Sequence, residues 1–353
     1  MYKRQPEEGR HLGQRRRVLS EDGAGQGGGI GEGADERGEL HEGEGSGRGA
    51  RLLQPAAMPT ATAGALQLNY DLRGEGTPLL MVMGLGAQKV LWPEALCDML
   101  ARRGFAVARF DNRDVGASTR LDHLGVPSLR KAMLRWTAGL EVHAPYGLSD
   151  LASDAFAVLD ALGWSQAHVM GASMGGMVAQ QMAIMHPERI RSLTSIMSHP
   201  GDKLSKLPHP SALKAMLGPR PRTAEQAGEA WVRLFREIGS GPPHFAFERE
   251  FHDAMGRLHF ERGPSPQGFV RQSLAILASP DRREGLGQLD LPVLVVHGTA
   301  DRLVRYRGGV QTARALRVGE LLSIEGMGHD LPREMWPRLC DAFEHTVARS
   351  GTA

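Results

Sequence analysis

The chain is poor in cysteine and in long apolar runs, and each shortage removes a class of protein. Two cysteines among 353 residues, Cys97 and Cys340, cannot frame a disulfide-stapled domain. Neither sits in a Cys-x-x-Cys spacing, so no thiolate metal site is expected and both read as small core residues. No apolar stretch approaches the roughly 20 residues that a membrane-crossing helix needs. Residues 1–57 hold no apolar segment of the kind a secretory leader carries, which makes a cytoplasmic protein the expectation. Charge of one sign is also lacking: 42 basic residues face 40 acidic ones, for a net +2. Arg15-Arg16-Arg17 reads as a solvated charge run, so neither nucleic acid nor a membrane surface is an expected partner.

What is present is a globular composition, 41% hydrophobic, behind an unusual start. Residues 1–57 are rich in Gly, Glu and Arg, as in Gly27-Gly28-Gly29-Ile30-Gly31-Glu32-Gly33, and cannot bury enough apolar area to offset their ordering entropy. They read as a disordered extension, and Met58, before Pro59-Thr60, reads as an alternative initiator. From there the pattern alternates. Leu66–Leu72 alternates like a half-exposed strand, Pro78–Met83 is a continuous apolar run expected of a strand covered on both faces, and Phe105–Phe110 reads as a third strand. Leu148–Leu162 reads as a helix with Ser149 as N-cap and Gly163 as its stop. Ile190–Met197, Leu291–His297 and Glu320–Ile324 add strands, and Arg333 opens a closing helix. Residues 199–285 break this rhythm with amphipathic segments such as Glu229–Ile238, and read as a helical cap inserted into the sheet. The core is then 58–198 with 286–353, a mostly parallel sheet flanked by helices.

The chemistry centres on Gly171-Ala172-Ser173-Met174-Gly175. The apolar Gln166–Met170 precedes it and a helix pattern from Gly176 to Met185 follows, so the serine stands on a sharp strand-to-helix turn, the nucleophile elbow. A serine hydroxyl needs a base to take its proton and a carboxylate to orient that base. Asp301 lies in the loop after the strand ending at His297, and His329 lies between Gly328 and Asp330 just before the last helix. Loops at the carboxyl ends of parallel strands are where open α/β sheets place ligands. Asp330 and Glu325 are weaker choices for the acid, and His297, His143, His168, His186 and His199 read as structural or surface histidines.

These motifs resemble the α/β-hydrolase superfamily in its serine-hydrolase branch, over about residues 65–345. The resemblance implies Ser173 as nucleophile, His329 as general base, Asp301 as orienting acid, and no metal or cofactor. It also implies an oxyanion hole made by the backbone N–H groups of Met174 and Leu85, although Met83-Gly84 stands where many relatives carry His-Gly. Asp111-Asn112-Arg113-Asp114-Val115-Gly116 matches a structural loop of the superfamily in which Asp114 replaces a glycine; Asp111 and Arg113 are expected to tie it by charge-assisted hydrogen bonds.

With the elbow, these stretches look like the group containing aclacinomycin methylesterase, which implies hydrolysis of a carboxylic ester, a methyl ester first of all. Trp231, Phe235, Phe245 and Phe247 are expected to line the pocket, and a small-molecule ester is the expected partner. Cofactor-free perhydrolases, C–C bond hydrolases and iminopeptidases share the same triad, and a ligand-binding receptor of the same fold is the alternative outside enzymes.

Overall fold

A computed structural model describes residues 59–216 and 218–351. The extension over 1–57 and the reading of Met58 lie outside the described residues. Among the described residues eight strands form one sheet: β1 (Thr60–Ala63), β2 (Leu66–Arg73), β3 (Thr77–Val82), β4 (Phe105–Phe110), β5 (Ala167–Ala172), β6 (Ile190–Ile196), β7 (Val293–Gly298) and β8 (Gly319–Ile324). Their order is β1-β2-β4-β3-β5-β6-β7-β8. The run from β4 to β8 is parallel, while β1 and β2 pair antiparallel at one edge. Strand β1 had no counterpart in the sequence reading. Thr60-Ala61-Thr62-Ala63 is too short and too small-sided to show an apolar run, and Gly64, at φ +59°, turns it back onto β2.

Period-two alternation sends side chains to two opposite layers. Leu80, Val82, Val169 and Val295 pack with helices α3 (Leu148–Ala161) and α4 (Met174–Met185), whereas Leu79, Met81, Met170 and Val296 pack with α1 (Glu94–Arg102) and α11 (Trp336–Arg349). Both cysteines are fully buried in the second layer. The N-cap of α3 is Gly147, whose N–H donates to the Asp150 carboxylate at 2.7 Å, rather than Ser149. An acid at the third helical position closes the end from inside, which moves the cap, though not the helix start, back by two residues.

Helix α2 (Leu129–Thr137) lies between β4 and α3. Between β6 and β7 stand α5 (Pro210–Met216), α6 (Ala224–Ile238), α7 (Arg249–Glu261), α8 (Pro266–Ala278) and the short α9 (Arg283–Leu286); α10 (Arg307–Ala315) follows β7. Asp114 and Arg271 join α8 to the loop after β4. Asp114 has φ +69°, the left-handed region that suits the glycine expected at this point, and an aspartate tolerates it better than most residues. Its carboxylate accepts Arg271 Nη2 at 2.7 Å and Nε at 2.8 Å, Leu121 N–H at 2.7 Å and the Tyr146 hydroxyl at 2.8 Å. Both partners are fully buried. Burial pushes the Asp114 carboxyl up, but these donors outweigh it and hold it below its ordinary range. Asp111 and Arg113 do not meet each other. Asp111 accepts the Lys89 and Ala117 N–H groups at 2.7 and 3.0 Å, while Arg113 reaches out to Asp154 of α3 at 2.6 Å.

Replacing Arg271 by Met should cost about 3–5 kcal/mol in urea unfolding, because Asp114 is left buried and unpaired. The double variant Asp114→Gly/Arg271→Met should recover most of that loss. A single variant within about 1 kcal/mol of the parent would show that the pair contributes nothing.

Candidate active site

Ser173 stands between β5 and α4 with φ +56° and ψ −120°, a conformation that a serine adopts only when its surroundings force it. The force comes from close main-chain approaches. A Cβ on Gly171 would lie 2.1 Å from the Gly175 carbonyl oxygen, and one on Gly175 would lie 2.0 Å from that of Val82. The Ser173 N–H donates to the Ile196 carbonyl at 2.9 Å, fixing the turn to β6.

His329 Nε2 is 3.0 Å from Ser173 Oγ, and His329 Nδ1 is 2.8 Å from Asp301 Oδ2. The other Asp301 oxygen accepts the Leu303 and Val304 N–H groups, each at 2.9 Å. Burial alone would raise the Asp301 carboxyl, but His329 and His297 outweigh it and hold it below the usual carboxylate range. A carboxylate facing Nδ1 fixes the proton there and leaves Nε2 as acceptor toward the serine. The glycine beside His329 has a reason too: a Cβ on Gly328 would lie 2.2 Å from the Gly239 carbonyl carbon, and His329 N–H donates to the Ile238 carbonyl at 2.6 Å. The carboxyl end of α6 therefore clamps the histidine loop.

His297 is a buried structural histidine as read, with Nε2 donating to the Val304 carbonyl at 2.7 Å, yet it also lies 3.4 Å from Asp301 Oδ2. Asp330 points away from His329 and accepts the Ser240 N–H at 2.9 Å. His168 is buried beside Ser192, whereas His143 and His186 are exposed.

Gly84 packs against the serine, where an added Cβ would lie 3.1 Å from Ser173 Cβ. The Gly84-Leu85-Gly86 loop is held by two side chains that sequence reasoning missed. Asn112 Nδ2 donates to the Met83 carbonyl at 3.0 Å, and Gln272 of α8 accepts the Gly86 N–H at 2.8 Å. Among the described residues neither Leu85 N–H nor Met174 N–H has a partner in the loop and turn hydrogen bonds.

Ser173 and His329 open into a cavity of about 500 Å³ beneath α5 to α8. Its walls are chiefly apolar, and Trp231 and Phe235 of α6 belong to them. Phe245 and Phe247, expected there, do not: Phe245 packs toward the α11 layer, and Phe247 is stacked on His252 beneath Arg236. Phe251, in the first turn of α7, takes a wall position instead.

The α/β-hydrolase fold family matches residues 77–332, and this chain belongs to it. Among curated relatives, the rhodomycin D methylesterase of Streptomyces peucetius is 29% identical over 294 residues, 77% of this chain and 91% of that protein. The pimeloyl-[acyl-carrier protein] methyl ester esterase of Aeromonas hydrophila is 32% identical over 240 residues, 68% and 83% of the two chains. A thermophilic esterase from Thermogutta terrifontis superposes with a TM-score of 0.62 at 20% identity, covering 84% of this chain and 99% of that one. Among the described residues no helix is long and apolar enough to cross a membrane, and no group of His, Cys, Asp and Glu is arranged to hold a metal.

Four histidines held neutral by burial give a pH prediction: His199 is pushed well below its ordinary value, and the half-buried His259 shifts together with the buried His168 and His252. Burial pushes His168, His252 and His259 each down to about 4, so with His199 all four are neutral in the folded chain. The unfolded chain takes up those protons near pH 6.5, so their stability contribution is complete above 6.5 and lost as pH falls toward 4. Urea unfolding should show stability falling between pH 7 and 5, by about 2 kcal/mol per histidine at pH 5. His168→Gln should flatten that slope by about one proton; a flat profile in the parent would refute the assignment.

Proposed function

We propose that this chain is a serine hydrolase that cleaves a carboxylic ester of a small, predominantly apolar substrate. The observation that carries this reading is the unbroken run Asp301 to His329 to Ser173, at 2.8 and 3.0 Å, opening into the apolar cavity. Ser173 Oγ attacks the ester carbonyl while His329 Nε2 takes its proton, and Asp301 stabilises the imidazolium that forms. The Leu85 and Met174 N–H groups receive the oxyanion, aided by the amino end of α4. The tetrahedral intermediate collapses as His329 returns the proton to the departing alcohol, leaving an acyl group on Ser173. Water then attacks with His329 again as base, and the acid leaves. Residues 199–285 act as a cap whose helices set the shape of the substrate. The names of two relatives, both methylesterases, make methyl esters the first compounds to test.

A fluorophosphonate probe should label the protein at Ser173, and Ser173→Ala should abolish labelling and reduce ester turnover by at least about three orders of magnitude. An unlabelled parent protein would point to a ligand-binding member of the fold. Assayed side by side, a methyl ester should be cleaved faster than a vinylogous diketone or a prolyl anilide, and the reverse order would move the reading to a C–C hydrolase or an iminopeptidase.

A further inference from the structure

Helix α7 turns His252, Met255 and His259 toward the cavity, at the spacing of one helical face. Both imidazoles lie against aromatic neighbours, His252 stacked between two rings and His259 tilted against one. Phe235 and Phe247 stack on His252 with centroids 4.6 and 5.0 Å away, and Trp231 lies 5.3 Å from His259. Yet among the described residues neither ring makes a hydrogen bond. Nδ1 of His259 is buried without a partner, and His252 Nε2 has Asp330 Oδ2 at 4.0 Å, beyond bonding distance. Asp330 also lines the cavity, and Ser240 N–H fixes it from behind at 2.9 and 3.0 Å. Rings that merely filled this space would serve as well as phenylalanine, without stranding polar edges in an apolar wall.

The 4.0 Å gap has a size that chemistry recognises. A hydroxyl oxygen that accepts one hydrogen bond and donates another, each about 2.8 Å long, holds its partners about 4.0–4.6 Å apart. We propose that His252 and Asp330 form a recognition site for a hydroxyl group on the non-reacting body of the substrate. His252 Nε2–H donates to the hydroxyl oxygen and Asp330 Oδ2 accepts its proton. His259, two turns and about 10 Å further along α7, also lines the cavity. Burial keeps both imidazoles uncharged at neutral pH, which suits a neutral hydroxylated ester rather than an anion. This site rests on reading the cavity as the ester-binding pocket, and it names the class of ester.

The test reads binding rather than turnover. Methyl 2-naphthoate and its monohydroxylated isomers are titrated calorimetrically into the full-length Ser173→Ala protein. At least one isomer should bind about tenfold tighter than the parent ester, the worth of a well-placed hydrogen-bonded pair. Adding His252→Phe, which keeps the aromatic stack, should bring that preference to about one, as should adding Asp330→Asn. His252→Gln, which keeps a donor, should restore part of it. The ratio of the two affinities is the readout, so a general loosening of the fold moves both arms together. Equal affinities in the starting protein, undetectable binding of every hydroxylated isomer, or a preference that survives His252→Phe overturns the proposal. A failure of fluorophosphonate labelling would bear on Ser173 and leave this measurement intact.

Discussion

Ser173 keeps its unfavourable φ of +56° because three stretches of main chain crowd the turn at once. Strand β3 approaches Gly175 through the Val82 carbonyl, the helix start folds back over Gly171, and β6 takes the Ser173 N–H. None of the three can withdraw without unzipping the centre of the sheet, where β3, β5 and β6 are neighbours. The strain is therefore supported by the most buried part of the molecule rather than by the loop itself. Everything else that converges on the hydroxyl, the histidine loop and the Gly84 turn included, is built against that fixed point.

The second set of constraints joins the helices over the cavity to the sheet. Arg271 and Gln272 are consecutive on α8: one holds Asp114 after β4, the other holds Gly86 beside the serine. His329 N–H and Ser240 do the same at the opposite side, through Ile238 and Asp330. These are hydrogen bonds and one buried ion pair rather than broad apolar packing, so they fix direction and register more than they add net stability. A cavity between two layers keeps a defined shape only if such ties exist.

The parallel strands were legible in the sequence because burial on both faces leaves unbroken apolar runs such as Leu79–Val82 and Val293–Val296. The candidates Ser173, His329 and Asp301, which the structure brings into contact, stood out because each follows a strand signal with a glycine close by. What escaped the reading depends on tertiary placement. Phe245 and Phe247 carry the same side chain as Phe251, and only the rotation of α7 and its preceding loop decides which enters the cavity. Asn112, Gln272 and Asp330 are ordinary polar residues in sequence, and their partners lie far away along the chain, 159 residues in the contact between Gln272 and Arg113. Asp114 did leave a trace, as an aspartate where a glycine was expected, but its meaning required Arg271 to be placed opposite.

On the proposed reading, helix α6 links pocket shape to the pair Ser173 and His329. Its cavity face carries Trp231 and Phe235, and its carboxyl end, at Ile238 and Gly239, presses on the backbone of Gly328 and His329. A ligand that pushes on the two rings pushes on a rigid rod whose far end holds the imidazole 3.0 Å from the serine. Displacements of a few tenths of an ångström at that distance change proton transfer steeply. A substrate body that fits the cavity beneath α6 and α7 without moving them leaves the His329 to Ser173 contact as it is, whereas one that pushes α6 outward draws the histidine away. Selection among substrates would then act on the rate of acylation as well as on binding, because the surface that measures the ligand and the clamp that positions the base belong to one helix.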